Sequence, residues 1–157
     1  AANPAPAPAR PRYSIHREES LGHASREGVL ESDRNLRPDA YLVDHATGEV
    51  TPIEFTIPDD ARIAASVRDK HQKYDQPLSR AAPRYTNAPA FRPLAVVALG
   101  TWGTVHPSTA GALVRLGVPP DALPALLRKA VQILARHAMI IARSRFAAAH
   151  RGLPIAT

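Results

Sequence analysis

The spacing of hydrophobic and polar residues differs from one segment of the chain to the next. It predicts a β-hairpin, a helix, a buried strand and further helices, in that order. Residues 39–43 predict a strand in which Asp39 is followed by four apolar residues, and residues 50–57 alternate between apolar and polar side chains. Between them, residues 44–49 are rich in turn formers. Two strands joined by such a turn predict a β-hairpin. Residues 13–16 predict a short edge strand before it.

The second hairpin strand divides its side chains between two faces. Ile53, Phe55 and Ile57 share one face, which we expect to be buried, and Glu54 and Thr56 share the other. Glu54 is therefore expected to point away from the apolar face.

A helix is predicted after the hairpin. Pro58 stops the strand, and Asp59 or Asp60 is a suitable N-cap. The helix should run to about Gln76, since a proline such as Pro77 is unfavourable inside a helix.

The remaining segments alternate between irregular chain and regular elements. Residues 79–92 are irregular, and residues 93–99 are continuously apolar, as in a strand buried on both faces. Residues 108–116 predict a short helix. Residues 121–150 predict a long helix or a helix pair, and residues 20–36 a loop or a frayed helix.

Chain length, cysteine content and net charge limit the classes of protein to which this chain can belong. The 157 residues suit one domain, and the absence of cysteine excludes disulfides and Cys-ligated zinc. A net charge of +6 favours a polyanionic partner, nucleic acid first. Residues 93–100 are too short to span a bilayer, so no membrane partner is expected. Because the chain begins at Ala1, we interpret it as a piece of a longer protein or a processed product.

Two carboxylates on the hairpin are candidate metal ligands. The hairpin can bring Asp39, at the start of one strand, beside Glu54 on the next. The backbone carbonyl of Phe55 is then a natural third ligand. Carboxylate and carbonyl oxygens suit Mg²⁺ or Mn²⁺, which can activate water for phosphodiester hydrolysis. A nearby Lys or Arg would stabilise charge on the phosphate.

Five blocks in order carry a resemblance to the PD-(D/E)xK, restriction-like endonuclease domain of non-LTR retrotransposon polyproteins. In this chain they are Arg37-Pro38-Asp39, Glu54-Phe55-Thr56-Ile57-Pro58, Lys70 with Lys73-Tyr74, residues 94–100, and Thr101-Trp102-Gly103. About half the chain is covered directly, and the C-terminal helical region is similar more loosely.

The resemblance implies an α/β, restriction-endonuclease-like core followed by C-terminal helices. An Ala/Pro linker is then expected over residues 1–12, the endonuclease core over 13–106, and the helical region over 107–157. The implied function is metal-dependent nicking of target DNA, so that a linked reverse transcriptase domain can prime on the cut. The element RNA is a possible second partner, and the nucleus is the implied location.

One departure from the family concerns the catalytic cation. Thr56 stands where the usual lysine would be, so Lys70 or Lys73 must replace it. Helical spacing places four residues on one face: Ile63, Val67, Lys70 and Tyr74. Lys70 is therefore better oriented than Lys73 to replace the usual lysine. Lys73 also fits the family pattern, and both remain candidates.

The resemblance assigns further roles. Arg37 and Tyr74 are expected to bind nucleic acid, with Tyr74 either orienting its helix or touching the DNA backbone. Such folds normally begin with a helix that contributes another acidic residue. The candidates by type are Glu18, Glu19, Glu27 and Glu31.

Two alternatives to a nuclease remain open. One is a catalytically decayed copy of the same fold, and the other is a small basic RNA-binding protein whose motif match is accidental. We interpret Trp102, the only tryptophan, as a core or loop anchor rather than a base-stacking residue. The basic residues of the last helix are interpreted first as a solvated face and second as phosphate contacts.

Overall fold

The computed structural model describes the backbone of residues 11–150 and the side chains of residues 11–140 and 143. The fold is mixed α/β. Its strands are β1 (Tyr13–Arg17), β2 (Ser25–Glu27), β3 (Ala40–Asp44), β4 (Glu49–Thr56), β5 (Ala82–Pro83) and β6 (Ala95–Ala98). Its helices are α1 (Leu21–Ala24), α2 (Ile63–Arg80), α3 (Pro107–Arg115) and α4 (Leu123–His150). The expected linker over residues 1–12 lies almost entirely outside the described residues.

The chain divides into two compact units. Within the described residues the first unit comprises 11–53 and 74–94, and the second 54–73 and 95–150. Strand β4 and helix α2 each run from one unit into the other.

The first unit is built on three antiparallel strands in the order β1, β3, β4. In the predicted hairpin, Ala40 pairs with Ile53 and Val43 with Val50. The turn forms because the Asp44 carboxylate accepts a hydrogen bond from the N–H of Ala46 at 2.9 Å. The edge strand β1 and the hairpin are therefore confirmed.

The core of the first unit is made of large side chains that are almost fully buried. These are Leu21, Tyr41, Val43, Val50, Tyr74 and Leu78. A small second sheet pairs β2 with β5 and organises part of the segment expected to be irregular. The loop or frayed helix expected over residues 20–36 is in fact α1, β2 and a 3₁₀ turn at Glu31–Asp33.

The second unit is centred on β6, all four residues of which are buried. The N–H of Leu99 donates to the carbonyl of Thr56 at 3.1 Å, which extends the sheet beyond β4. Helix α3 is held on β6 by Thr109, whose hydroxyl donates to the carbonyl of Ala98 at 3.0 Å. The hydroxyl also accepts from the N–H of Ala98 at 3.1 Å, so neither polar group is left unsatisfied.

The predicted faces of β4 are confirmed at Ile53, which is 6% exposed, and wrong beyond it. Phe55 and Ile57 are 55% and 56% exposed, whereas Glu54 is 1% exposed. Alternation separates the two faces of a strand but does not say which of them packs inward. The face that is buried along β4 carries Val50, Pro52 and Glu54.

The predicted end of the first long helix is also wrong. Helix α2 continues through Pro77 to Arg80. Proline removes one backbone donor, but Pro77 and Leu78 are both buried, and their packing offsets that loss. The last helical segment is one helix of 28 residues rather than a pair.

Candidate functional site

Glu54 is the most deeply buried charged residue of the second unit in the described chain. It lies near the end of β4 and retains 1% exposure. A carboxylate at such a position loses nearly all its hydration, so it needs a compensating partner within the fold.

Lys70 of α2 is that partner. Its Nζ forms a hydrogen-bonded ion pair with Oε2 of Glu54. The Lys70 side chain is 30% exposed and that of Glu54 only 2%. The pair therefore joins a buried anion to a cation that still reaches solvent.

A second polar contact joins the same strand end to the same helix. The hydroxyls of Thr56 and Ser66 lie 2.9 Å apart. Thr56 thus contacts α2 one turn before Lys70. These two contacts position Lys70 opposite Glu54.

A buried ion pair is a weak explanation for stability alone. Desolvation of two charges commonly offsets their attraction, and apolar pairs of similar size often stabilise as well or better. The Lys70 side chain is 30% exposed, so the pair lies next to solvent. The Glu54–Lys70 pair is therefore the leading site candidate in the second unit.

The remaining predicted residues lie in the first unit, apart from Lys73 and Phe55 in the second. Asp39 is exposed and directly precedes β3. The hydroxyl of Tyr74 donates to the backbone carbonyl of Arg37 at 2.9 Å, so two residues predicted to bind nucleic acid are in contact. Tyr74 is 1% exposed, a placement suited to orienting its helix. The predicted roles of these residues, including Lys73, remain predictions.

The described residues near Glu54 offer carboxylate and carbonyl oxygens as donors for a metal ion. Among residues 11–140 and 143, no three His, Cys, Asp or Glu side chains group closely enough to hold a metal ion. Mg²⁺ does not require such a group, because it usually retains water and uses one or two carboxylates together with substrate phosphates. The carboxylate of Glu54 and the following carbonyl of Phe55 are oxygen donors of the required kind.

Asp60 has a role that sequence reasoning missed. The sequence predicts Asp60 only as a helix N-cap. In the structure Asp59 caps the turn that precedes α2, since its carboxylate accepts a hydrogen bond from the N–H of Ala61 at 2.9 Å. The Asp60 carboxylate instead accepts from the N–H of Trp102 at 2.8 Å and from the N–H and hydroxyl of Thr104. These hydrogen bonds, that of the Thr104 hydroxyl first, lower the pKa of Asp60 below its usual value.

A polar cluster in the first unit surrounds Glu19, one of the candidate acidic residues. Its carboxylate accepts from the Tyr85 hydroxyl at 2.5 Å and lies 3.6 Å from His16 and 3.7 Å from His23. Burial by itself would raise the pKa of Glu19, but the Tyr85 hydrogen bond and nearby cations lower it. Burial, followed by the bond to Glu19, raises the pKa of Tyr85. Of the residues in this cluster, the sequence predicts a functional role only for Glu19.

Comparison with protein-family models, curated proteins and solved structures gives no match to this chain. Within the described residues, no helix combines the length and the apolar character needed to cross a membrane.

Proposed function

We propose that the chain is a metal-dependent DNA endonuclease domain of a retrotransposon polyprotein, with a restriction-endonuclease-like core. It would nick target DNA so that a linked reverse transcriptase can prime on the cut. The element RNA would be a second partner, and the work would take place in the nucleus. The motif resemblance supplies the family, and the Glu54–Lys70 pair supplies the structural support.

The observation that carries the proposal is the ion pair between a buried β4 carboxylate and a helix lysine. The family pattern requires a carboxylate on this strand and a cation beside it. The usual cation position is Thr56, and the contact made by Lys70 supports the relocated lysine over Thr56 itself. Lys73, three residues later, stays the second candidate.

Each residue has a distinct task in the proposed reaction. Glu54 and Asp39 would hold Mg²⁺ or Mn²⁺, together with the carbonyl of Phe55. When bound, such an ion polarises a phosphoryl oxygen and lowers the pKa of water. Lys70 would hold Glu54 in place and stabilise negative charge on the scissile phosphate. Tyr74 would hold the backbone of Arg37 in place through its hydrogen bond. The guanidinium of Arg37 would then contact the DNA backbone.

Nicking of supercoiled plasmid tests the proposal. Glu54→Gln should lower the Mg²⁺-dependent rate by roughly 100-fold or more, the scale of losing one electrostatic contributor to the transition state. Asp39→Asn should do the same. Glu49→Gln is the matched control, because it makes the same change on the same strand at a side chain that is 50% exposed. It should leave nicking intact.

The alternative function is nucleic-acid binding without catalysis. It is favoured by the fact that Lys70 already neutralises Glu54, an arrangement that a purely structural pair would also have. Plasmid binding by a chain that nicks in neither Mg²⁺ nor Mn²⁺ would establish this alternative. Nicking that persists equally in the Glu54→Gln and Asp39→Asn variants would place the activity elsewhere and refute the proposed site.

A further inference from the structure

The turn over residues 100–104 is held on the second unit by several hydrogen bonds. The N–H of Gly100 donates to the carbonyl of Thr104 at 2.6 Å. The N–H and hydroxyl of Thr101 both donate to the carbonyl of Pro58, at 3.0 and 2.9 Å. With the Asp60 contacts described above, nearly every residue of the turn is anchored through its backbone.

Two glycines allow the turn to fit so closely. A Cβ at Gly100 would collide with the Asp60 carboxylate. Gly103 has φ +98°, and a Cβ there would lie 2.8 Å from Cγ1 of Val131 on α4. The backbone of the turn therefore meets both the start of α2 and the side of α4.

Trp102 sits on this anchored turn with its indole directed outward. It is 80% exposed, which contradicts the interpretation of its side chain as a core or loop anchor. The backbone is the anchor, through the N–H bonded to Asp60. Exposing an indole forgoes a large burial energy, and an aromatic ring held in this way is available to a partner.

An open groove of about 250 Å³ adjoins the indole. It is lined by Thr101, Trp102, Val131, Ala135, Ala138 and Met139. All are apolar except Thr101, whose hydroxyl already donates to Pro58. The groove therefore suits a flat apolar group that stacks on the ring.

The helix that lines the groove carries charges of one sign. The charged side chains of α4 that the structure describes are Arg128, Lys129, Arg136 and Arg143, and all four are exposed. Seven of the 20 Lys and Arg residues follow residue 94, and Asp121 is the only acidic residue in that part of the sequence. The partner of this surface should consequently carry negative charge.

We propose that Trp102 and the adjoining groove bind a base of single-stranded nucleic acid, while the basic residues of α4 contact its phosphates. A nucleic acid strand combines the two required properties, a flat π-face and a regular row of anions. The strand must be single, because in a duplex the base faces are stacked on one another. The inference goes beyond the proposed cleavage, since it uses none of the residues assigned to that reaction.

Other occupants fit the surface less well. A second copy of the chain would bring one acid-free basic helix against another. An anionic lipid surface would accept the tryptophan and the basic residues, but it gives no reason for an anchored turn beside a groove of this size. The lipid surface is therefore an outcome that the test must distinguish.

Fluorescence of the single tryptophan provides a direct test. The chain is titrated with a 20-residue oligothymidylate in EDTA, where no metal-dependent cleavage occurs. Binding should quench the emission and protect it from acrylamide, and the affinity should fall as salt rises, with a slope of about −0.7 per phosphate contacted. A duplex of equal length should leave the indole accessible to acrylamide.

Variants complete the test with a labelled oligonucleotide read by anisotropy. Trp102→Ala should weaken binding about 5- to 140-fold, the range that corresponds to one stacked base. Trp102→Phe should retain most of the affinity. Ile133→Ala is the control, because Ile133 is a 47% exposed apolar residue on the same helix that does not line the groove. It should bind like the unmodified chain.

Three results would overturn the inference. Oligonucleotide binding without any change in tryptophan emission would place the contact elsewhere. Equal affinities for the Trp102→Ala variant and the unmodified chain would remove the stacking role. A shift of emission caused by vesicles of anionic phospholipid, with none caused by the oligonucleotide, would assign the surface to lipid. Because the assay needs no cleavage, loss of nicking through Glu54 would leave these outcomes unchanged.

Discussion

Replacing Lys70 by methionine should destabilise the fold far more than replacing Glu54 by glutamine. Lys70→Met keeps the length and helix propensity of the side chain but removes the partner of a carboxylate whose side chain is 2% exposed. Breaking a buried pair in this way costs about 3–5 kcal/mol, and we expect the lower end, because Lys70 itself is 30% exposed.

Glu54→Gln leaves a different residue behind. The glutamine carbonyl can still accept a hydrogen bond from Lys70, and the lysine can turn toward water. The cost should therefore be about 1 kcal/mol, the usual net value of one hydrogen bond. A difference of about 2 kcal/mol between the two variants follows from the unequal exposure of the two partners.

Urea denaturation followed by circular dichroism measures both values at pH 7. Arg68→Met is the control, since it makes a matched change at an exposed position of the same helix and should stay within about 0.5 kcal/mol of the unmodified chain. Equal destabilisation by Lys70→Met and Glu54→Gln would refute the reasoning from unequal exposure. No destabilisation by either variant would also refute it, because it would mean that Glu54 is solvated in solution.

Two further predictions concern the anchored turn. Gly100→Ala should destabilise the chain by about 1–3 kcal/mol in the same urea assay, because the new Cβ meets the Asp60 carboxylate. Gly111→Ala in α3 is the control and should be neutral or stabilising, because its Cβ would meet only the Arg115 side chain, in an ordinary contact at 3.9 Å. Hydrogen bonds from Thr104 and Trp102 lower the pKa of Asp60 in the folded state. The stability that Asp60 contributes to the fold should therefore be present at neutral pH and lost as the pH falls below 3.8, the unperturbed pKa of this carboxyl. Tryptophan emission should report this release, and Asp60→Asn should abolish the pH dependence; an identical acid transition in that variant would contradict the assignment.

Local patterns in the sequence were sufficient to predict most elements of the fold. The hairpin needs only two apolar runs and an Asp- and Gly-containing turn, and both are local features. The buried strand β6 follows from a continuous apolar run of strand length. Helical spacing placed Lys70, rather than Lys73, on the face shared with Val67 and Tyr74, and Lys70 is the lysine that contacts Glu54.

Errors arose where a distant segment changed the environment of a residue. Alternation along β4 separates two faces, but the packing of distant segments decides which face is buried, and it buries the one with Val50, Pro52 and Glu54. The sequence predicts that Pro77 ends α2, because the loss of a backbone N–H is evident from the residue type alone. The burial of Pro77, which offsets that loss, depends on distant segments and is not evident from the sequence.

The sequence by itself determined which residues could carry chemistry, since residue type fixes charge, donor capacity and the order of motifs along the chain. Only the tertiary structure decided how they are used. Glu54 is buried because α2 supplies Lys70, and Asp60 accepts a hydrogen bond from Trp102, 42 residues away, rather than capping α2. Trp102 is exposed because the hydrogen bonds that fix its turn are made by the backbone. Such contacts join residues far apart in sequence, and their energies depend on burial, which local spacing does not specify.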